Sequence, residues 1–179
     1  MNATKTIFLS LFIIIADQIS KWAVMEQVLR PLYPLDSEPR SLVEWMLNAP
    51  ERLPFLSLDI LPFFNLVVVW NQGVSFGMFS NDLDYGPYLL IALSFAITLG
   101  FLVWMFRTSN PVHHFGIALV IGGAIGNVFD RFRFGAVYDF LDVHVLGFHW
   151  PAFNIADSAI VVGVIILMIY AFFFEDKPE

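Results

Sequence analysis

From Tyr88 to Phe106 the chain carries no charged residue, and the run closes on Arg107 and the breaker Ser109-Asn110-Pro111. A transmembrane helix needs roughly 20 mostly apolar residues to cross the hydrocarbon core. This stretch alone therefore restricts the chain to folds for which lipid is part of the solvent. Two similar runs follow. Phe115 to Phe129 is shorter and glycine-rich, and Asp130 and Arg131 terminate it. Pro151 to Phe174 is the longest, opens on a proline as first helical turns allow, and is interrupted by one charge, Asp157. A fourth run, Thr6 to Ala16, meets Asp17 and Lys21 before the span is complete. Lys5 ahead of an apolar run also fits a cleaved signal peptide, but no small-x-small site precedes a polar start, so it reads as a retained helix. With 58% hydrophobic and 14% charged residues in 179, a soluble domain could not bury the apolar surface. The expectation is a mainly α integral membrane protein, one domain over residues 1–179, with spans at about 6–24, 88–106, 112–129 and 152–174.

The segments between spans, about 25–87 and 130–151, belong in water or at the interface, since the first carries prolines and Arg30, Asp36, Glu38, Arg40, Glu44 and Arg52. Within it, Phe63 to Trp70 is β-branched and aromatic and reads as a strand. Sheet edges do not sit exposed in hydrocarbon, which puts this small sheet on the membrane surface. Four spans place both termini on one side. Charge bias does not choose which, because Lys5, Arg107 and Lys177 oppose Arg30, Arg40 and Arg52. A net charge of -7 argues against a nucleic-acid partner, and the lack of cysteine excludes disulfides and thiolate chemistry.

Ionisable side chains within spans cost about 2.5–3.5 kcal/mol each on insertion scales, so each one needs a reason. Asp17 and Lys21 are four apart and share a helix face; they read either as a structural ion pair or as a brace under the active-site loops. Asp157 stands alone, six residues into the last run, about 9 Å along a helix at 1.5 Å per residue. Asn154 is on its face. Asp139 lies in the segment returning to the surface where the last span begins, so both carboxylates arrive at one leaflet. Paired in low dielectric they would share one proton, giving a base for water and an acid for a carbonyl, which is peptide hydrolysis without metal or cofactor. Gly122 and Gly126 have the small-xxx-small spacing of closely packed membrane helices. Asn127 and Arg131, four apart, are placed to anchor the turn and reach the pair.

Four blocks resemble the boxes of lipoprotein signal peptidases, the signal peptidase II family. They are Ala16-Asp17-Gln18-Ile19-Ser20-Lys21; Asn71-Gln72-Gly73-Val74-Ser75-Phe76-Gly77; Gly126-Asn127-Val128-Phe129-Asp130-Arg131 continuing to Gly135-Ala136-Val137-Tyr138-Asp139-Phe140; and Phe153-Asn154-Ile155-Ala156-Asp157-Ser158. They stand in family order and, with the spans, cover nearly the whole chain. The resemblance implies a four-helix bundle with a small extracytoplasmic β-cradle in the bacterial inner membrane, both termini cytoplasmic. It implies an aspartic endopeptidase that cleaves prolipoprotein signal peptides just before a diacylglyceryl-modified cysteine and is inhibited by globomycin. Asp139 and Asp157 would be the catalytic pair. Asn71, Gly73, Asn127, Arg131, Asn154 and Ala156 would line or support the site, with Asp17, Lys21 and Asp130 as polar positions around it. Two features depart from the family: roughly Arg30 to Leu53 is extra, and Ser75 replaces a common alanine.

Two rival readings stand beside this one. Gly73-Val74-Ser75-Phe76-Gly77 fits the G-x-S-x-G nucleophile pattern after a strand, with His144 or His149 as the base of an intramembrane serine hydrolase. His113 and His114 lie at the wrong end of their span for that role. His144 and His149, five apart on a loop without a carboxylate box, argue against a metal site. A small transporter would use Asp17, Asp139 and Asp157 as relay carboxylates, but they cluster at one leaflet and the halves show no inverted repeat. Finally, the stretch from Met25 to Tyr85 is a candidate lid over the substrate.

Overall fold

The computed structural model describes residues 1–33, 38–73 and 86–174. Four of its helices are long and apolar enough to cross a membrane. Helix α1, Ala3–Trp22, starts at Asn2, whose side chain accepts the Lys5 N–H at 3.0 Å. It does not end near residue 24 as the sequence suggests. A π-helical stretch, Ala23–Leu29, and a 3-10 turn, Arg30–Leu32, prolong it. The reason is packing: Met25 and Leu29 are fully buried, and Glu26, also fully buried, takes two hydrogen bonds from Arg30 at 2.6 and 2.9 Å. Arg30 is thus a buried ion-pair partner and not an interfacial charge, and this part of the candidate lid is core.

Short α2, Leu42–Leu47, has a capping box between Ser41 and Glu44 and turns Trp45 wholly inward. Helix α3, Gly86–Arg107, packs on α4, Pro111–Phe134, which also packs against α1 and α5, Ile155–Phe173. Glycines make the centre possible. A Cβ on Gly122 would lie 2.8 Å from the Ile13 Cβ, and one on Gly123 would lie 2.3 Å from the Ala156 carbonyl oxygen. The small residues thus serve packing within the chain.

Asp130 and Arg131 do not end α4. Asp130 finds a cation in Lys21, and the helix runs on to Phe134, where Gly135 at φ 66° caps it. Nor does α5 begin at Pro151. Phe153 is bridged to Leu141, and Asn154 caps the helix, accepting the Asp157 N–H at 2.9 Å. Asp157 therefore sits in the first turn, not a turn and a half inside the span.

The sheet is antiparallel in the order β1-β2-β3-β4: Ser57–Leu61, Phe64–Asn71, Val137–Val145 and Phe148–His149. Val69 lies opposite Asp139, beyond a register shift after Leu66. Met25, Leu29, Trp45, Leu53, Val68, Phe134, Tyr138 and Phe140 form one core between the sheet and the prolonged α1. Of the segment around Arg30 to Leu53, residues 30–33 and 38–53 are thereby built into the fold, with Arg133 over the Trp45 ring and Arg52 over Trp70.

Candidate active site

Asp157 is held by the helix it starts. Its carboxylate accepts the Asn154 backbone N–H at 3.2 Å and the Asn127 side-chain amide at 2.7 Å. An anion in the first turn of a helix also meets the positive end of the helix dipole. Asp139, on β3 and 1% exposed in effect only through a sliver of its surface, accepts Asn154 Nδ2 at 2.7 Å and Asn71 Nδ2 at 3.1 Å. Asn154 Nδ2 also reaches Asn127 Oδ1 at 3.2 Å. Asn127 and Asn154 thus bridge the two carboxylates, one amide bonded to each. Burial first, and the charge of Asp157 second, push the Asp139 carboxyl up to about 7, against the hydrogen bonds of Asn71 and Asn154 and the charge of Lys21. Arg131 stands on α4 with its Nε buried and without a hydrogen-bond partner among the described residues.

Beneath the pair lies a fully buried charge network. Lys21 Nζ is 2.8 Å from Asp17 and 2.7 Å from Asp130. Asp17 Oδ1 accepts the backbone N–H of Ala156 at 3.0 Å, and Asp130 Oδ2 accepts that of Tyr138 at 3.1 Å. Each carboxylate grips the amide just before one of the two site aspartates, and one lysine joins the grips. Asp17 and Lys21 form the ion pair of the first reading, and Asp17 also accepts the Ala156 amide.

Gly73 donates its N–H to Asn71 Oδ1 at 3.2 Å and so helps aim that side chain. Gln18 was not singled out by the sequence, yet its amide donates to Asp130 at 2.8 Å and to Asp17 at 3.1 Å. An amide one residue from a buried aspartate in an apolar helix was the available signal. His144 and His149 stand on strands and not on a loop, their rings stacked at 4.6 Å, and His149 does have a carboxylate, Asp142, at 2.9 Å. Among the described residues no three His, Cys, Asp or Glu side chains are grouped to hold a metal ion. Ser75, with the rest of residues 74–85, lies outside the described residues.

The fold and site define a membrane protein that sets two bridged carboxylates where the bundle meets a small sheet. A family model described as signal peptidase (SPase) II matches residues 9–173, and the chain belongs to that family. It is 46% identical over 110 residues to the lipoprotein signal peptidase of Methylobacterium radiotolerans, a match covering 62% of this chain and 64% of that protein. The enzyme of the same name from Syntrophotalea carbinolica is 45% identical over 139 residues, 75% of this chain and 82% of that one. A solved structure described as a bacterial membrane enzyme superposes with a TM-score of 0.70 at 23% identity, covering 97% of this chain and 96% of its own, which is a likeness of fold.

Proposed function

We infer that the chain is an aspartic endopeptidase that removes signal peptides from prolipoproteins, cutting just before the diacylglyceryl-modified cysteine. The observation carrying this reading is the Asp139–Asp157 pair, joined through Asn127 and Asn154. The family supplies the substrate class; the pair supplies the chemistry. The site faces the extracytoplasmic side of a bacterial cytoplasmic membrane, with both termini in the cytoplasm, and globomycin-type peptides compete for it.

In this reading the pair holds one proton. The charged member takes a proton from water, whose oxygen attacks the scissile carbonyl, while the protonated member donates to the carbonyl oxygen. Collapse of the tetrahedral species breaks the C–N bond, and the proton taken from water goes to the leaving amine. Asn127, Asn154 and Asn71 hold the carboxylates in register, and Arg131 balances charge as it develops. The substrate's acyl chains stay in lipid and tether the bond at the interface.

Purified wild type, Asp139→Asn and Asp157→Asn are to be compared on a diacylglyceryl-modified prolipoprotein. Each Asn variant, folded, should lose at least about 10²–10⁴-fold in rate, the usual worth of a positioned acid or base. Retained cleavage in either sinks the assignment. The pH profile adds a second check. Above about 7 the Asp139 carboxyl loses its proton and no acid remains, so kcat/KM should fall as pH rises through that value. A profile still rising at higher pH contradicts it. Stability has the same sign: a raised carboxyl favours the folded state fully at pH below its unfolded value of 3.8, and that contribution is lost as pH climbs through about 7. Asp139→Asn should flatten this slope in thermal unfolding.

A further inference from the structure

The β3–β4 hairpin closes through Leu146 and Gly147, with Val145 and Phe148 paired across the turn. Both turn residues have positive φ, 50° at Leu146 and 83° at Gly147. Such turns favour Asn, Asp and Gly, because in the left-handed region a Cβ crowds the following carbonyl. Leu146 is the one non-glycine residue with positive φ among the described residues, and its side chain is 103% exposed. It carries a conformational cost with no burial within the chain to offset it. Its neighbours repeat the pattern, with Phe148 72% and Trp150 62% exposed.

The tip cannot fold back to hide these side chains. Behind it, Asp142 accepts from Asn65 at 3.0 Å and pairs with His149 at 2.9 Å, and His149 stacks on His144. The hairpin is therefore a stiff, polar-locked stem with an apolar end. The chain then passes from Trp150 through Pro151 to Asn154, the cap of α5. At about 3.3–3.6 Å per residue, Trp150 lies within roughly 15–18 Å of Ile155 along the chain. The tip is thus tied to the point where an apolar helix enters lipid, the depth that tryptophan favours.

We propose that this tip is a lipid anchor: Val145, Leu146 and Phe148 insert into the boundary between headgroups and acyl chains, with Trp150 at headgroup level. The occupant is the bilayer itself, because the exposed surface is continuous in sequence with the membrane-crossing α5 and carries no charge from Val145 to Phe148. The ladder closing at Val145 and Phe148 leaves few backbone groups unpaired, which a shallow insertion requires. The anchor fixes the height of β3, and with it Asp139, above the leaflet in which a lipidated substrate sits. The insertion rests on α5 crossing the membrane and not on the peptidase reading.

The chain has no cysteine, so Leu146→Cys gives a single site for an environment-sensitive fluorophore in the full chain, reconstituted in phosphatidylethanolamine–phosphatidylglycerol vesicles. Emission should be blue-shifted relative to the same label at Glu51→Cys, and quenched more by lipids bearing a nitroxide near the headgroup than by lipids bearing it deep in the acyl chain. Unquenched emission typical of water overturns the proposal. Quenching that needs added prolipoprotein also overturns it, by making the substrate's lipid the occupant. Leu146→Asn, which suits the turn, guards against misfolding as an explanation. It should keep its thermal stability in detergent, and a label at Phe148→Cys in that background should lose several-fold in quenching. Undiminished quenching there would show that Leu146 does not anchor the tip.

Discussion

At one end of the bundle Lys21 sits between Asp17 and Asp130; at the other, Thr6 meets His114. Both ends bury polar side chains between helices. The far end does so with hydroxyl, imidazole and amide side chains. The Thr6 hydroxyl is 2.8 Å from His114 Nδ1, Thr108 is 3.0 Å from His113 Nδ1, and Asn110 donates to the Tyr170 hydroxyl at 2.6 Å. These contacts join α1, α3 and α5 to α4. The near end does the same joining with charges, which cost more to desolvate. The difference teaches that joining helices does not require ions. Between α1 and α4 the charged acceptors Asp17 and Asp130 hold the backbone amides next to Asp157 and Asp139, and charged acceptors make the stronger hydrogen bonds.

Lys21→Met is the most severe way to break the comparison. It leaves Asp17 and Asp130 fully buried without their cation, and removing one partner of a buried ion pair costs about 3–5 kcal/mol. Thermal unfolding in detergent should show a fall of that order. The combined variant Asp17→Asn, Lys21→Met, Asp130→Asn sharpens the point, because it removes every charge together. It should recover much of the stability while cleavage stays low. Recovery of both would mean that the charges serve the fold alone.

A smaller effect is expected where α4 and α5 touch. Gly123→Ala puts a methyl against the Ala156 carbonyl oxygen, at 2.3 Å before any relaxation. Backbone has to move, so a loss of about 1–3 kcal/mol, the range for overpacking, is expected. Since Ala156 adjoins Asp157, cleavage should drop as well. At Gly100, where a Cβ would meet nothing within 4 Å, the same substitution should change neither. Equal losses at the two glycines would mean that the close approach does not set the effect, since helix propensity favours alanine at both.

These contrasts also mark what could be read in the chain beforehand. The spans follow from apolar run length, and Asp157 stood out as the one charge in its run. The start of α5 carries two competing signals: Pro151 suits a first turn, whereas Asn154 followed three residues on by Asp157 is a capping pattern, and the cap sets the helix. The continuation of α1 had a signal in the spacing of Glu26 and Arg30, four apart. What no local pattern carries is the meeting of β2 with β3. Asn71 and Asp139 are brought together by strand pairing across residues far apart in sequence, and the grip of Asp130 on Tyr138 depends on how Gly135 turns the chain.

The mildest test lies at the far end. Thr6→Val keeps the shape and removes the hydroxyl, so His114 Nδ1 loses the contact with Thr6. Hydrogen bonds between membrane helices average about 0.6 kcal/mol and reach about 1.7, so a loss near 1 kcal/mol is expected, with cleavage unchanged because the site is at the opposite end of α4. Thermal unfolding beside Lys21→Met under the same conditions makes the measurement. If Thr6→Val cost as much as Lys21→Met, the two ends would be held in the same way, and the charges at the near end would need no explanation from chemistry.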